Sequence, residues 1–195
     1  MQILSKIISA EDDKLGQKTH EMIFAGFGGQ GVMLMGQLVA YAAMNEGKQV
    51  SWFPSYGPEM RGGTANCAVV VSEEPVGSPV VSEPTALVAM NKPSLAKFLP
   101  GVRPGGVVIY NSSLVDEAPY RSDVAMVAVP ATEIANELGE VRAANMVALG
   151  ALLARTAVVD PEDVLAALAK SLPKHRQDLL PLNRVALERG RDYGG

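Results

Sequence analysis

The sequence predicts an α/β domain in which a mostly parallel β-sheet is flanked by helices and followed by a helical carboxyl-terminal part. In the first two thirds of the chain, short apolar runs bounded by turn residues alternate with segments of helical spacing, as in strands joined by helical crossovers. From Thr132 onward the apolar spacing is helical throughout. With 195 residues, 48% of them hydrophobic, the chain has enough material for one domain with a sizeable core.

The predicted elements follow one another in a simple order. A strand at residues 22–25 runs into a glycine-rich loop, and a helix extends from Val32 to a glycine stop at Gly47. A strand at residues 49–53 completes a strand–helix–strand unit, which predicts a right-handed crossover and a parallel sheet. Further strands are predicted at residues 64–72, 86–90, 107–110 and 123–129, and further helices at residues 93–99, 132–138, 142–155, 161–170 and 173–189. We treat residues 1–20 as an amino-terminal arm and residues 21–195 as the domain.

The composition excludes several kinds of chemistry. A formal net charge of −4 does not favour nucleic-acid binding, which normally depends on clustered basic residues. Cys67 is the only cysteine, so the chain cannot by itself hold an iron–sulfur cluster or a cysteine zinc site, and its apolar strand suits a buried side chain better than a nucleophile. The two histidines, His20 and His175, have no obvious catalytic partner in the sequence.

No membrane or targeting segment is predicted. Residues 22–45 carry no charge, but five glycines and two glutamines interrupt them, and a bilayer would leave that glycine-rich backbone without hydrogen-bond partners. The amino terminus lacks the apolar core of a signal peptide. We therefore expect a cytoplasmic protein.

The glycine-rich loop is the first candidate binding site. It reads Gly26-Phe27-Gly28-Gly29-Gln30-Gly31, a G-x-G-x-x-G pattern between a strand and a helix, where a phosphate can approach the backbone and the helix amino terminus. A nicotinamide site also needs an acidic residue at the end of the second strand, but that strand ends in Trp52-Phe53-Pro54. An NAD site is therefore disfavoured. Two interpretations of the loop remain: it binds a phosphate or pyrophosphate, or its glycines only allow close helix packing.

Two further places carry unusual polar residues. The segment 55–64 is constrained by Pro58 and paired glycines and presents Glu59 and Arg61, which either meet a partner or form a local exposed ion pair. On the predicted helix at residues 142–155, Arg142 and Asn145 are polar exceptions, which either face a ligand or only cap and solvate the helix.

Together these motifs resemble the gamma subunit of 2-oxoacid:ferredoxin oxidoreductases, a Rossmann-like fold. The resemblance covers about residues 21–190 and is carried by FAGFGGQGV (24–32), SYGPEMRGGTANC (55–67), MNKPSL (90–95), VPAT (129–132) and RAANMV (142–147). The stretch around Gly57-Pro58-Glu59 is closer to the 2-oxoglutarate and branched-chain (ketoisovalerate) members than to the pyruvate enzymes.

The resemblance implies a part in a complex that decarboxylates a 2-oxoacid, here 2-oxoglutarate by preference, passes electrons to ferredoxin and releases an acyl-coenzyme A. It assigns thiamine diphosphate to the alpha and beta subunits and iron–sulfur clusters to the beta and delta subunits, so this chain alone is expected to be inactive. It associates the gamma part with coenzyme A. The implied coenzyme contacts are Gly26, Gly28, Gly29, Gln30 and Gly31, with Arg142 and Asn145 nearby, and the implied alpha-subunit contacts are Glu59 and Arg61.

Two alternatives stand beside this interpretation. One is a stand-alone NAD-dependent dehydrogenase, weakened by the missing ribose-binding acid and by the lack of a placed general base. The other is a purely structural subunit whose glycine loop binds nothing.

Overall fold

The structure, a computed structural model, describes residues 19–55 and 65–195. Its strands are β1 (Thr19–Gly26), β2 (Gln49–Ser55), β3 (Ala65–Ser72), β4 (Ala86–Ala89), β5 (Val107–Asn111) and β6 (Ala125–Val129). Its α-helices are α1 (Val32–Asn45), α2 (Lys92–Phe98), α3 (Ala131–Glu137), α4 (Ala144–Thr156), α5 (Pro161–Ser171) and α6 (Leu180–Gly194). Short 3-10 helices lie at Leu99–Gly101, Val141–Ala143 and Lys174–Leu179.

The strands of the described residues form one mixed sheet in the order β2-β3-β1-β4-β5-β6. The neighbours β1, β4, β5 and β6 are parallel, whereas β3 runs antiparallel to both β1 and β2. β2 therefore points in the same direction as β1, but β3 lies between them. The predicted fold class, an α/β domain with a mostly parallel sheet and a helical carboxyl-terminal part, is confirmed.

Burial explains why β3 is interior and β2 is the edge strand. Val69, Val70 and Val71 are all buried, so β3 presents apolar side chains to both faces of the sheet. β2 has no buried residue and contains Pro54, which has no N–H to donate to a further strand. A proline and polar positions are typical of sheet edges.

Both faces of the parallel part of the sheet are covered. Met22 and Phe24 of β1 point into the larger core, which contains residues of α1, α3, α4, α5 and α6. Ile23 and Ala25 point into the smaller core, together with Leu95 of α2. This alternation, with both faces buried, is the usual arrangement of a parallel sheet between helical layers.

Glycines allow α4 and α6 to pack closely. A Cβ atom at Gly190 would overlap the carbonyl oxygen of Val147, and one at Gly150 would overlap the carbonyl oxygen of Leu187. Because these obstacles are backbone atoms, the helices could not keep this separation with larger residues at the two positions.

Element boundaries differ from the prediction at two informative places. β1 starts at Thr19, so His20, which the sequence places in the arm, lies in the first strand; residues 1–18 are outside the described part. The helix predicted at residues 173–189 is instead a 3-10 helix followed by α6, with Pro181 in the first turn of α6. Proline has no amide hydrogen and its ring clashes with the preceding turn, so it begins a helix rather than continuing one.

None of the helices in the described residues is both long enough and apolar enough to span a membrane.

Candidate functional site

A cleft of about 180 Å³ opens at the carboxyl ends of the parallel strands, and we call it the carboxyl-edge cleft. The chain leaves β1 towards β2 on one side of the sheet and leaves β4 towards β5 on the other, so the gap between β1 and β4 is a topological switch point. Ligands of open α/β sheets bind preferentially at such a point. The cleft is lined by Gly29, Gln30, Met90, Leu114, Thr132, Val141, Arg142 and Ala144.

The glycine loop connects β1 to α1 and forms one wall of the cleft. Gly29 and Gly31 have φ angles of 93° and 73°, in the left-handed region that favours glycine. Gly31 is the N-cap of α1 and provides no side-chain cap, and the first turn of α1 contains no acidic residue. The backbone amides of Gly28 and Gly29 donate to no acceptor among the described residues. The loop therefore presents unpaired N–H groups at the positive end of a helix dipole.

The four glycines of the loop are not equally constrained by packing. A Cβ atom at Gly26 would lie 2.8 Å from Gln30 Oε1 and from Val32 Cγ1, and a Cβ atom at Gly31 would overlap Asn145. At Gly28 and Gly29 an added Cβ would meet no atom within 4 Å. Gly28 is thus required neither by close packing nor by a positive φ angle, and its open side is free for a ligand to approach.

The side chain of Gln30 ties the loop to the end of β4. Its Oε1 accepts hydrogen bonds from Phe27 N at 2.7 Å and from Asn91 Nδ2 at 2.9 Å, and its Nε2 donates to Met90 O at 3.2 Å. Asn91 in turn is the N-cap of α2 and accepts from Ser94 N at 2.9 Å. The two strand ends that flank the switch point are therefore joined through side chains.

Arg142 lines the other wall of the cleft, and Asn145 packs against the glycine loop. Arg142 lies in the 3-10 helix Val141–Ala143, is exposed, and its guanidinium forms no ion pair with any described residue. Asn145, in the first turn of α4, is 5% exposed and packs against Gly31. Its Oδ1 accepts from Met146 N at 2.8 Å, while its Nδ2 makes no hydrogen bond within the described part of the chain.

The structure thus brings together the residues that the sequence singles out in separate segments. Gly29, Gln30 and Arg142 line one cleft, and Asn145 packs against Gly31 of the same loop. Glu59 and Arg61, predicted as subunit contacts, lie outside the described residues.

Sequence reasoning did not find the apolar part of the cleft. Leu114 and Val141 line it and are 46% and 53% exposed, and Phe27 of the glycine loop is 39% exposed.

The sequence did contain a signal for the position of the cleft, a pair of asparagines at the ends of two strands. Asn91 follows β4, and Asn111 is the last residue of β5. Asn91 caps α2, Asn111 bonds to Thr132 in the first turn of α3, and strand ends of this kind mark the cleft edge of the sheet.

The other titratable groups that the sequence singles out lie away from the cleft. Burial raises the pKa of the Cys67 thiol to about 12, so at neutral pH it is a protonated core side chain. Burial, with a contribution from the nearby charge of Lys48, lowers the pKa of His20. His175 is exposed in the 3-10 helix Lys174–Leu179. No cluster of three or more His, Cys, Asp or Glu side chains suited to a metal ion occurs in residues 19–55 and 65–195.

Two curated relatives are informative. The ketoisovalerate oxidoreductase subunit VorA of Methanothermobacter marburgensis is 43% identical over 169 residues, which are 87% of this chain and 35% of that protein. The chain thus spans about a third of the length of this relative. The 2-oxoglutarate synthase subunit KorC of Methanocaldococcus jannaschii is 37% identical over 176 residues, covering 87% of this chain and 91% of that protein.

Solved structures share the fold and between a quarter and a third of the aligned residues. The gamma subunit of a keto/oxoacid ferredoxin oxidoreductase from Geobacter sulfurreducens is 33% identical with a TM-score of 0.77, over 90% of this chain and 98% of that one. A 2-oxoglutarate:ferredoxin oxidoreductase from Magnetococcus marinus, with 2-oxoglutarate, coenzyme A and succinyl-CoA bound, is 25% identical with a TM-score of 0.83, over 92% of this chain and 31% of that one. Residues 21–193 match the model of the pyruvate ferredoxin/flavodoxin oxidoreductase family, and the chain belongs to this family.

Proposed function

We propose that this chain is the gamma subunit of a multi-subunit 2-oxoacid:ferredoxin oxidoreductase and that its carboxyl-edge cleft binds coenzyme A. The complex would decarboxylate a 2-oxoacid oxidatively, transfer the acyl group to coenzyme A and reduce ferredoxin. Thiamine diphosphate and the iron–sulfur clusters would be held by alpha, beta and delta subunits. Family membership and the match over 98% of a gamma subunit support this role.

Among 2-oxoacids we propose 2-oxoglutarate as the substrate. KorC, named for 2-oxoglutarate, is matched over nearly its whole length, as expected for a separate gamma subunit of this size. The branched-chain alternative is supported by the higher identity to VorA, although that match covers only a third of VorA. Turnover of the purified complex with 2-oxoglutarate and with 2-oxoisovalerate decides between them.

The observation that carries the coenzyme A proposal is the open space at Gly28. An added Cβ would meet no atom of the described chain there, so the helix-packing interpretation gives no reason for a glycine. Close approach of a phosphate to the backbone does give one. Free amides at Gly28 and Gly29, the amino terminus of α1 and the guanidinium of Arg142 supply the hydrogen-bond donors and positive charge that a pyrophosphate requires.

When bound, coenzyme A would supply the thiol that accepts the acyl group, and this chain would orient it. The glycine loop and Arg142 would fix the phosphates, while Leu114 and Val141 would cover apolar parts of the ligand. The cleft offers no group for proton transfer among its lining residues, so we assign this chain binding and orientation rather than acid–base chemistry.

The stand-alone NAD-dependent dehydrogenase is not favoured. β2, whose end would supply the acid for the ribose hydroxyls, ends in Phe53-Pro54-Ser55 and is separated from β1 by β3. The acidic residue that would bind the ribose hydroxyls is therefore missing, and the strand end where it is expected is not adjacent to the glycine loop.

The test compares Gly28→Ala with the control Gly77→Ala in the assembled complex. Both positions have room for a methyl group, but Gly77 lies in the loop between β3 and β4, at the amino ends of the parallel strands and opposite the cleft. Loss of a charge-assisted phosphate contact at Gly28 should raise the KM for coenzyme A about 10- to 100-fold, with the KM for the 2-oxoacid and the melting temperature unchanged. Gly77→Ala should change none of these. An unchanged coenzyme A KM in a stable Gly28→Ala complex would overturn the binding role, and impaired assembly with unchanged affinity would support the structural alternative.

A further inference from the structure

Gln30 is among the residues that line the cleft, yet its side chain is already committed to the protein. Both of its polar atoms make hydrogen bonds to neighbouring chain segments, and Oε1 accepts two, from Phe27 N and Asn91 Nδ2. An amide oxygen with two donors has used its acceptor capacity. Gln30 is therefore poorly placed to accept a hydrogen bond from a ligand.

These bonds determine which amides of the glycine loop face the cleft. Phe27 N is held by Gln30 Oε1, and Gln30 N donates to Phe27 O at 3.2 Å, which closes a tight turn. Gly28 and Gly29, between these two residues, keep their amides unpaired within the described chain. The Gln30 side chain thus braces the turn from within while the two central amides remain available.

Asn91 anchors this brace to the rest of the fold. It is 2% exposed, its Nδ2 donates to Gln30 Oε1, and its Oδ1 accepts from Ser94 N at the start of α2. A buried asparagine bonded on both sides has little freedom to move. The position of the loop is therefore linked to β4 and α2, across the switch point, as well as to its own strand and helix.

We propose that Gln30 is a positioning residue which, through Asn91, holds the glycine loop in the shape that presents the Gly28 and Gly29 amides to an anionic ligand. This assigns Gln30 a different role from the direct cofactor contact implied by the family resemblance. The proposal rests on the proposed coenzyme A site for its effect on ligand affinity, but the bracing itself is measurable without ligand.

The test uses two uncharged variants and a matched control. Gln30→Met keeps the length of the side chain and removes its three hydrogen bonds. Asn91→Ser keeps an N-cap hydroxyl for α2 and removes the bond to Gln30. The control is Thr85→Val, because Thr85 is also buried, lies just before β4 at the edge of the sheet opposite the cleft, and bonds through its hydroxyl to the backbone of Glu21 rather than to the glycine loop. If Gln30→Met does not fold, Asn91→Ser answers the same question.

Two measurements are made, hydrogen exchange of the ligand-free full chain and steady-state kinetics of the assembled complex. In both variants we expect exchange at the amides of Phe27 and Gln30, the two hydrogen-bonded amides of the turn, to rise about tenfold because the brace is lost, and the KM for coenzyme A to rise by a similar factor with kcat retained. The control should show neither change. A general loss of stability would instead raise exchange across the whole sheet and would not separate KM from kcat.

The outcomes separate this proposal from the function on which it rests. Unchanged exchange at the amides of Phe27 and Gln30 would overturn the bracing role whatever the kinetics. Raised exchange with an unchanged coenzyme A KM would overturn the positioning role if Gly28→Ala raises that KM. If Gly28→Ala also leaves the KM unchanged, the coenzyme A site itself is wrong, and the positioning proposal falls with it.

Discussion

At the residue scale, Arg142 carries the only charge among the described residues that line the cleft. Its guanidinium has no acidic partner within the described chain, so a phosphate would not have to displace an existing ion pair. Arginine can bind phosphate through two parallel hydrogen bonds, which makes such a contact both strong and directional.

We therefore predict that Arg142→Gln raises the KM for coenzyme A about tenfold in the assembled complex. Arg142→Lys, which keeps the positive charge, should raise this KM less. The affinity of the wild-type complex should also fall more steeply with added salt than that of Arg142→Gln. Arg155→Gln is the control, because Arg155 is exposed in the last turn of α4, the helix that follows Arg142, at the end away from the cleft. An equal rise in the KM for coenzyme A in Arg142→Gln and Arg155→Gln would contradict a local role for Arg142.

His20 leads to a prediction about the pH dependence of stability. Burial lowers its pKa in the folded chain, and its Nδ1 is buried with no hydrogen-bond partner among the described residues. In the unfolded chain His20 titrates near its ordinary value of about 6.5. Above that pH both states are neutral at this position and His20 adds no pH dependence. As pH falls below 6.5, the unfolded state takes up a proton that the folded state does not, so the free energy of unfolding decreases.

We expect the loss of stability between pH 7.5 and pH 5.5 to be smaller in His20→Gln than in the wild-type chain. His175→Gln serves as the control, because His175 is exposed and should leave the pH profile as it is. Urea unfolding at several pH values measures this. Parallel profiles for the wild type and His20→Gln would show that His20 is not held neutral by the fold.

At the scale of elements, the contact between α4 and α6 depends on small residues. A Cβ atom at Gly190 would overlap the backbone of Val147, so a methyl group forces the two helices apart. Alanine favours a helix by about 1 kcal/mol over glycine, which acts in the opposite direction. Backbone displacement in a well-packed core costs about 1–3 kcal/mol and occasionally more, so the net effect should be destabilising.

Gly190→Ala should consequently lower the free energy of unfolding of the full chain, measured by urea titration. Asp192→Ala, at an exposed position of the same helix, should be close to neutral. An increase in stability in Gly190→Ala would mean that helix propensity outweighs the close contact.

The same scale shows what the sequence could and could not predict. Except for α6, which begins at Leu180 rather than at residue 173, the strands and α-helices of the described residues lie within a few residues of their expected positions, because apolar spacing and bounding glycines are local signals. The insertion of β3 between β1 and β2 depends on long-range pairing, which spacing does not encode. Pro54 in β2 and the run Val69-Val70-Val71 in β3 fit an edge strand and an interior strand once the pairing is known, but they do not determine which strands pair.

The candidate site was likewise only partly predictable from the sequence. Its glycine loop and its polar residues Arg142 and Asn145 could be found from sequence motifs. The apolar contributors Leu114 and Val141 could not, since an exposed leucine or valine carries no signal until the fold places it beside a cleft.

At the scale of the whole molecule, the fold supplies a binding cleft without redox groups. Cys67 is the only cysteine of the chain, it is buried, and its pKa of about 12 keeps it protonated at neutral pH. One protonated thiol in the core can ligate no iron–sulfur cluster. If the proposed function is right, electron transfer must therefore take place on other subunits, and this chain affects it only through the ligand that it holds.

We predict that the purified chain alone does not reduce a viologen dye with 2-oxoglutarate and coenzyme A, and that activity appears only when its partner subunits are added. Because this chain would hold coenzyme A, partner subunits mixed with the Gly28→Ala chain should need about 10- to 100-fold more coenzyme A for half-maximal rate than with the wild-type chain. The same two mixtures should need equal concentrations of the 2-oxoacid. Dye reduction by the chain alone, or an equal coenzyme A requirement in both mixtures, would contradict a division of labour in which this subunit binds the acyl acceptor and its partners carry the electrons.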